Sequence, residues 1–214
     1  IVRESWNGFN ILHNHASIVG ALDLGFIYGQ SGKGTEEVLR QSREGKVKIL
    51  FLLGADDFDI NLIGDDCFVI YQGHHGDAAA NRADIILPEA AYTEQDAIFV
   101  NMEGRAQYAR RAVPPVGEAQ ESWRIIAQIA KGLKMDFGYE DLAALRAELA
   151  KENPVFANMD KALEANLSKQ ESLGKLQKKP LKKITRNYYM TDQITRASVT
   201  MAKCTEARNQ EVLE

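Results

Sequence analysis

Four short stretches of this chain hold side chains able to do chemistry. Gly32-Lys33-Gly34-Thr35 has the residue types of a phosphate-binding loop, in which backbone N–H groups and a lysine cradle phosphate oxygens. That pattern needs a glycine five positions before the Gly of its Gly-Lys pair, and the position is Ile27. A working loop also leaves a buried strand, whereas Leu24 to Tyr28 leaves a helical stretch, so nucleotide hydrolysis is not expected here. Gly54-Ala55-Asp56-Asp57-Phe58-Asp59 closes an apolar run and supplies one glycine and three carboxylates. At about 5 Å and an effective dielectric near ~20, each carboxylate repels a unit of phosphate charge by roughly 3 kcal/mol. A lone acid there could bind a ribose hydroxyl, but the accompanying Gly-x-Gly-x-x-Gly turn occurs nowhere in the chain. The expectation is an emptied or never-filled cofactor crevice rather than a nicotinamide-dinucleotide site.

Tyr71-Gln72-Gly73-His74-His75-Gly76-Asp77 places two histidines and a carboxylate after a second apolar run. Neighbouring histidines point in different directions, and neither His13 nor His15 stands at a zinc-type spacing from them. His13 and His15 themselves face apart on a helix. A tight structural turn is therefore expected in place of a metal site. Cys67 and Cys204 are too few and too distant for a cysteine metal motif, and neither has a local basic partner that would make a reactive thiolate. No Gly-x-Ser-x-Gly elbow exposes a serine nucleophile. Arg105, in Glu103-Gly104-Arg105, has the fork to grip a phosphate, against the simpler expectation of a local ion pair with Glu103 across a hairpin. No catalytic, cofactor-binding or metal-ligating residue is assigned.

The elements that would position these groups follow from periodicity. Apolar residues at three- and four-residue steps predict a helix over Phe9 to Leu22, and Thr35 is expected to cap a short helix whose first turn holds Glu36 and Glu37. Val47 to Leu53, Cys67 to Tyr71 and Ile85 to Leu87 are continuous apolar runs of the kind that parallel strands show when covered on both faces. A short helix around Phe58 to Ile63 fits the first crossover, and Ala97 to Val100 is a fourth extended piece. Helical spacing returns over Glu118 to Leu133 and Glu140 to Lys151, the latter ending before Asn153-Pro154. The class predicted is α/β: a doubly wound, mostly parallel sheet with flanking helices and an extended C-terminal tail.

Charge divides the chain. Its 214 residues carry a net charge of −4, which gives no electrostatic reason to expect nucleic acid. Residues 161–214 hold 11 Lys plus Arg against 6 Asp plus Glu, while residues 1–160 hold 15 against 24. The tail is thus +5 on a body of −9. It could lie on its own acidic domain, be a solvated linker, or dock on an acidic neighbour. Lys175 to Lys183, with Pro180 inside, is the most linker-like part, and Tyr188 to Lys203 mixes aromatics, Met and Thr as a packed segment does. No apolar run approaches the roughly 18 residues of a membrane span, so no direct membrane insertion is expected. The chain opens on Ile1 without a signal-peptide pattern and reads as a fragment or processed chain.

Several of these motifs, in the same order, carry a resemblance. Cys67 through Asp77, Ala83-Asp84-Ile85-Ile86-Leu87-Pro88, Ala91-Tyr92-Thr93-Glu94 and Val100 through Gln107 closely resemble the family of 75 kDa subunits of mitochondrial respiratory complex I. Asn10 to His13, Ala21 to Gly25, Leu50 to Asp56, Tyr188 to Asp192 and Ala202 to Cys204 are similar to the same family; residues 140–183 match it loosely. The resemblance implies the C-terminal part of a molybdopterin-oxidoreductase-like domain, kept without its pterin cofactor, in a subunit whose Fe–S cysteines lie in an N-terminal part absent from this sequence. It implies a domain over 1–150, a variable linker over 151–187 and a docking tail over 188–214. The implied partners are that cluster-bearing part and other subunits of the peripheral arm, on the matrix side of the mitochondrial inner membrane. The implied role is structural support of electron transfer from NADH to ubiquinone. A split subunit and a longer subunit represented in part are both compatible with this. The alternative is a pterin- or nucleotide-binding oxidoreductase domain of the molybdopterin family.

Overall fold

The computed structural model describes residues 2–3, 6–7, 12–13, 15–26, 34–163 and 187–213. At the start, β1 (Val2–Arg3) and β2 (Trp6–Asn7) pair antiparallel. The body is built on the three apolar runs, which form β3 (Ile49–Leu53), β4 (Phe68–Gly73) and β5 (Ile85–Pro88). They make a parallel sheet in the order β3-β4-β5, with Ile49 beside Phe68, Leu53 beside Gln72 and Ile70 beside Ile85. The α/β class is as expected, and sequence order equals spatial order, so these strands are wound in one direction.

Alternation along the strands separates two faces. Leu52, Val69 and Tyr71 point to one, where they join Leu39, Ile63, Cys67 and Ala79 in the main core. That face is covered by α2 (Thr35–Arg43), the single 3-10 turn Ile60–Leu62 in the first crossover and α3 (Ala78–Arg82) in the second. Close approach is enforced at Gly64. A Cβ there would lie 2.4 Å from the Ser42 carbonyl oxygen, and the Gly64 N–H donates to the Ser42 hydroxyl at 3.0 Å. On the other face Ile49, Leu53, Phe68 and Ile85 remain exposed, and α4 (Ser122–Gly132) borders it through Ile126 and Ile129 near Phe51 and Leu53.

Two helices depart from the predicted bounds by more than two residues at their start. The periodic stretch Phe9 to Leu22 yields a described helix only over α1 (Ile18–Asp23). His13 and His15 therefore precede the helix rather than lie on it, and a Cβ added at Gly20 would meet the Val100 side chain at 3.4 Å. The helix predicted from Glu118 begins at Ser122 because the preceding residues are taken by a β-bridge: Gln120 donates to Pro88 O at 3.2 Å and accepts from Ala90 N at 2.8 Å.

The fourth extended piece, β6 (Ala97–Val100), does not join the sheet but forms an antiparallel hairpin with β7 (Ala106–Ala109). Val100 and Ala106 pack with Phe156 of α6 (Pro154–Ala157) in a second core, where Leu149 of α5 (Leu142–Glu152) also lies. The tail carries α7 (Gln193–Arg196) and α8 (Val199–Leu213), neither assigned from periodicity. The linker stretch Lys175 to Lys183 lies outside the described residues. Among the described residues no helix is long and apolar enough to cross a membrane.

Candidate functional site

Open α/β sheets bind ligands in the crevice outside the carboxyl ends of their strands. In this protein that mouth is made by the loops after β3 and β4. Gly54 donates its N–H to Gln72 O at 2.7 Å, which extends the β3–β4 ladder to the point where the first of these loops begins. Asp56 is buried, its side chain only 4% exposed, while Asp57 points outward at 60%. Asp77 caps α3, its Oδ1 accepting from Ala78 N at 2.7 Å. Tyr71 is buried beneath, donating its hydroxyl to His75 O at 3.2 Å. Burial pushes its phenol above the usual range, and the negative charge of Asp56 adds to the rise.

The mouth is filled from the tail. Arg196 of α7 sets Nη2 2.6 Å from Asp56 Oδ2 and donates from Nε to Asp77 Oδ2 at 2.9 Å. Gln193, buried one turn earlier, donates from Nε2 to Gly54 O at 3.2 Å and meets the Tyr71 hydroxyl. Burial tends to lower the Arg196 pKa, but the carboxylates of Asp56 and Asp77 together outweigh it and the net shift is upward. The same hydrogen bond from Arg196 holds the Asp77 carboxyl below the usual carboxylate range, against a smaller opposing effect of burial. The short helix bearing both side chains is closed by a capping box: Asp192 accepts from Thr195 N at 3.0 Å, and Thr195 Oγ1 accepts from Asp192 N at 3.1 Å.

The other candidates serve the fold. His15 Nε2 lies 3.2 Å from Asp57 Oδ2, and Asp59 caps the 3-10 turn by accepting from Asn61 N at 3.1 Å. The His74 and His75 rings meet edge to face at 5.7 Å and 71°, so their nitrogens do not converge. No group of three or more His, Cys, Asp or Glu suited to a metal ion occurs among the described residues. Cys67 and Cys204 are both free; burial pushes the Cys67 thiol up, which makes it inert. Gly34, in extended backbone, caps α2 in place of the expected Thr35, which is the first helical residue, and the part of the phosphate-loop look-alike before Gly34 lies outside the described residues.

Arg105 is committed to structure: it donates to Asp160 O at 2.7 Å and to Glu103 at 3.4 Å. The Asn101 carboxamide accepts from the N–H groups of Glu103 and Arg105, at 2.9 and 3.0 Å, and shapes the hairpin turn. Asp84 accepts from Val69 N at 2.7 Å, which ties the start of β5 to β4.

A pterin dinucleotide, whose loss the family resemblance implies, does not fit these residues. Its phosphates would meet Asp56, Asp57 and Asp77, and the one guanidinium at the mouth already bridges two of those carboxylates. Sequence reasoning missed Gln193 and Arg196 as site residues. The available signal was the Asp192 to Thr195 capping pattern.

Residues 1–132 match the molybdopterin oxidoreductase family, and residues 152–204 match the C-terminal part of the NADH-ubiquinone oxidoreductase G-subunit family. The NADH-quinone oxidoreductase G-subunit of Rickettsia conorii is 50% identical over 97% of this chain and 29% of its own length. The mitochondrial NADH-ubiquinone oxidoreductase 78 kDa subunit of Neurospora crassa is 38% identical over 97% of the chain and 28% of its own length. The mitochondrial NADH dehydrogenase [ubiquinone] iron-sulfur protein 1 of Solanum tuberosum is 39% identical over 95% and 27%. The chain therefore spans less than a third of the length of these relatives. With a parallel three-stranded sheet and a family match covering well over half its residues, this chain belongs to the molybdopterin oxidoreductase family.

Proposed function

We propose that this chain is a non-catalytic structural part of the peripheral, NADH-oxidising arm of mitochondrial complex I, on the matrix side of the inner membrane. The observation that carries the reading is the succession of two matches in one chain: a molybdopterin-type body followed by the C-terminal tail of the G-subunit family. Residues 1–150 form the cofactor-free body, 151–187 the linker, whose first residues pack on that body through Phe156, and 188–214 the docking tail. Fe–S clusters belong to the part of the subunit outside this sequence, since a cluster usually takes four cysteine ligands and this chain has 2. Electron tunnelling depends on fixed cofactor spacing, so the contribution of this domain is positional. It holds the cluster-bearing part in place among the neighbouring subunits, and no residue of its own takes part in chemistry.

Separation of native membrane complexes on a gel, followed by mass spectrometry, tests this. The chain is expected to migrate with a particle that oxidises NADH, and a chain that runs only as a free monomer would rule the assignment out. The rival reading, a pterin- or nucleotide-binding oxidoreductase domain, draws on the molybdopterin oxidoreductase match itself. Metal analysis and pterin fluorescence on the native protein separate the two, and a stoichiometric pterin signal would favour the rival.

A further inference from the structure

A sheet mouth lined by Asp56 and Asp77 repels phosphates, yet a desolvated carboxylate also needs a counter-charge of its own. We propose that the mouth is a built receptor for an arginine-bearing helix, and that α7 is its resident plug. One guanidinium reaches two carboxylates on two different loops, as an ion pair with Asp56 at 2.6 Å and through a hydrogen bond from Nε to Asp77 at 2.9 Å. Gln193 adds a second, uncharged anchor at the Gly54 carbonyl. The contacts join residues 119 and 139 positions apart, so they fasten the tail to the body rather than stabilise a local turn. The crevice that other open α/β sheets offer to a ligand is thereby closed by the chain itself. The inference concerns only contacts within this chain and stands whether or not the complex I assignment does.

The experiment uses the full chain and its two thiols. Cys67, 2% exposed in the core, reports on the body, and the half-buried Cys204 of α8 reports on the tail. A four-residue helix has no stability alone, so the amides of α7 report docking through hydrogen exchange. In Arg196→Ala, Cys204 labelling and α7 amide exchange are expected to rise by about tenfold or more, as for a broken buried ion pair, while Cys67 stays protected. Unchanged rates for Cys204 and α7 with Cys67 protected would overturn the proposal.

Should Cys67 become reactive as well, Asp77→Asn decides. Asparagine keeps the α3 cap but removes one of the two charges. Faster α7 exchange in that variant supports the plug, and exchange equal to the parent's overturns it. Inorganic pyrophosphate, compared with chloride at equal ionic strength, is expected to leave the parent's Cys204 rate unchanged; acceleration specific to pyrophosphate would show that the mouth prefers an anion.

Discussion

Asp77 shows how one carboxylate serves two elements: it caps α3 through Ala78 N and holds Arg196 of α7. Because its folded-state pKa is depressed, its contribution to stability is complete above the ordinary value of 3.8 and is lost as pH falls through the lower folded value. Urea midpoints measured against pH should therefore fall below pH 3.8 in the parent, and the gap between parent and Asp77→Asn should close there. Asp84 has a simpler role. Removing its carboxylate in Asp84→Ala leaves the N–H of fully buried Val69 without this partner, at an expected cost of about 1–3 kcal/mol in urea unfolding. The carboxylates of both loops were legible as residues, and so was the hairpin pair of Glu103 and Arg105. Their partners were legible only where they lay nearby. The counter-ion of Asp56 comes from the far end of the chain, and nothing in the local pattern points to it.

Elements were most legible where local pattern and tertiary burial agree. The runs that became β3, β4 and β5 are apolar on consecutive positions and their bounds move by no more than two residues, but only one face is covered, by α2 and α3, and the expected cover on the other is missing at Ile49, Leu53, Phe68 and Ile85. Helix starts were less legible, since apolar spacing says nothing of where a segment is drawn into a bridge, as Gln120 is. The β6–β7 turn is set by backbone conformation. Gly104 has φ of +78°, and a Cβ there would meet nothing within 4 Å. Gly104→Ala should thus cost about 1–2 kcal/mol from backbone strain alone, read as a lowered midpoint in chemical denaturation with an unchanged slope.

For the whole molecule, the sheet's two faces are unequal. One lies under α2 and α3, while the other leaves Ile49 at 64%, Leu53 at 53%, Phe68 at 41% and Ile85 at 44% exposure in one apolar area. Contiguous exposed apolar surface binds hydrophobic probes. The isolated chain should enhance the fluorescence of such a dye, and Phe68→Ser should reduce that signal while Cys67 stays protected from thiol reagents. The isolated chain is also expected to lack iron absorbance and NADH oxidation, and stoichiometric iron on it would contradict the proposed function.

The amino-acid order by itself determined the α/β class, the positions of the parallel strands, the hairpin ion pair and the family, because each rests on patterns spanning a few neighbouring residues. Only the tertiary structure decided that Asp56 and Asp77 share Arg196, and that Gln193 lies over the Gly54 carbonyl. Such pairings depend on where a distant segment returns in space, and on a buried charge requiring its opposite within a few ångströms, which no local spacing encodes.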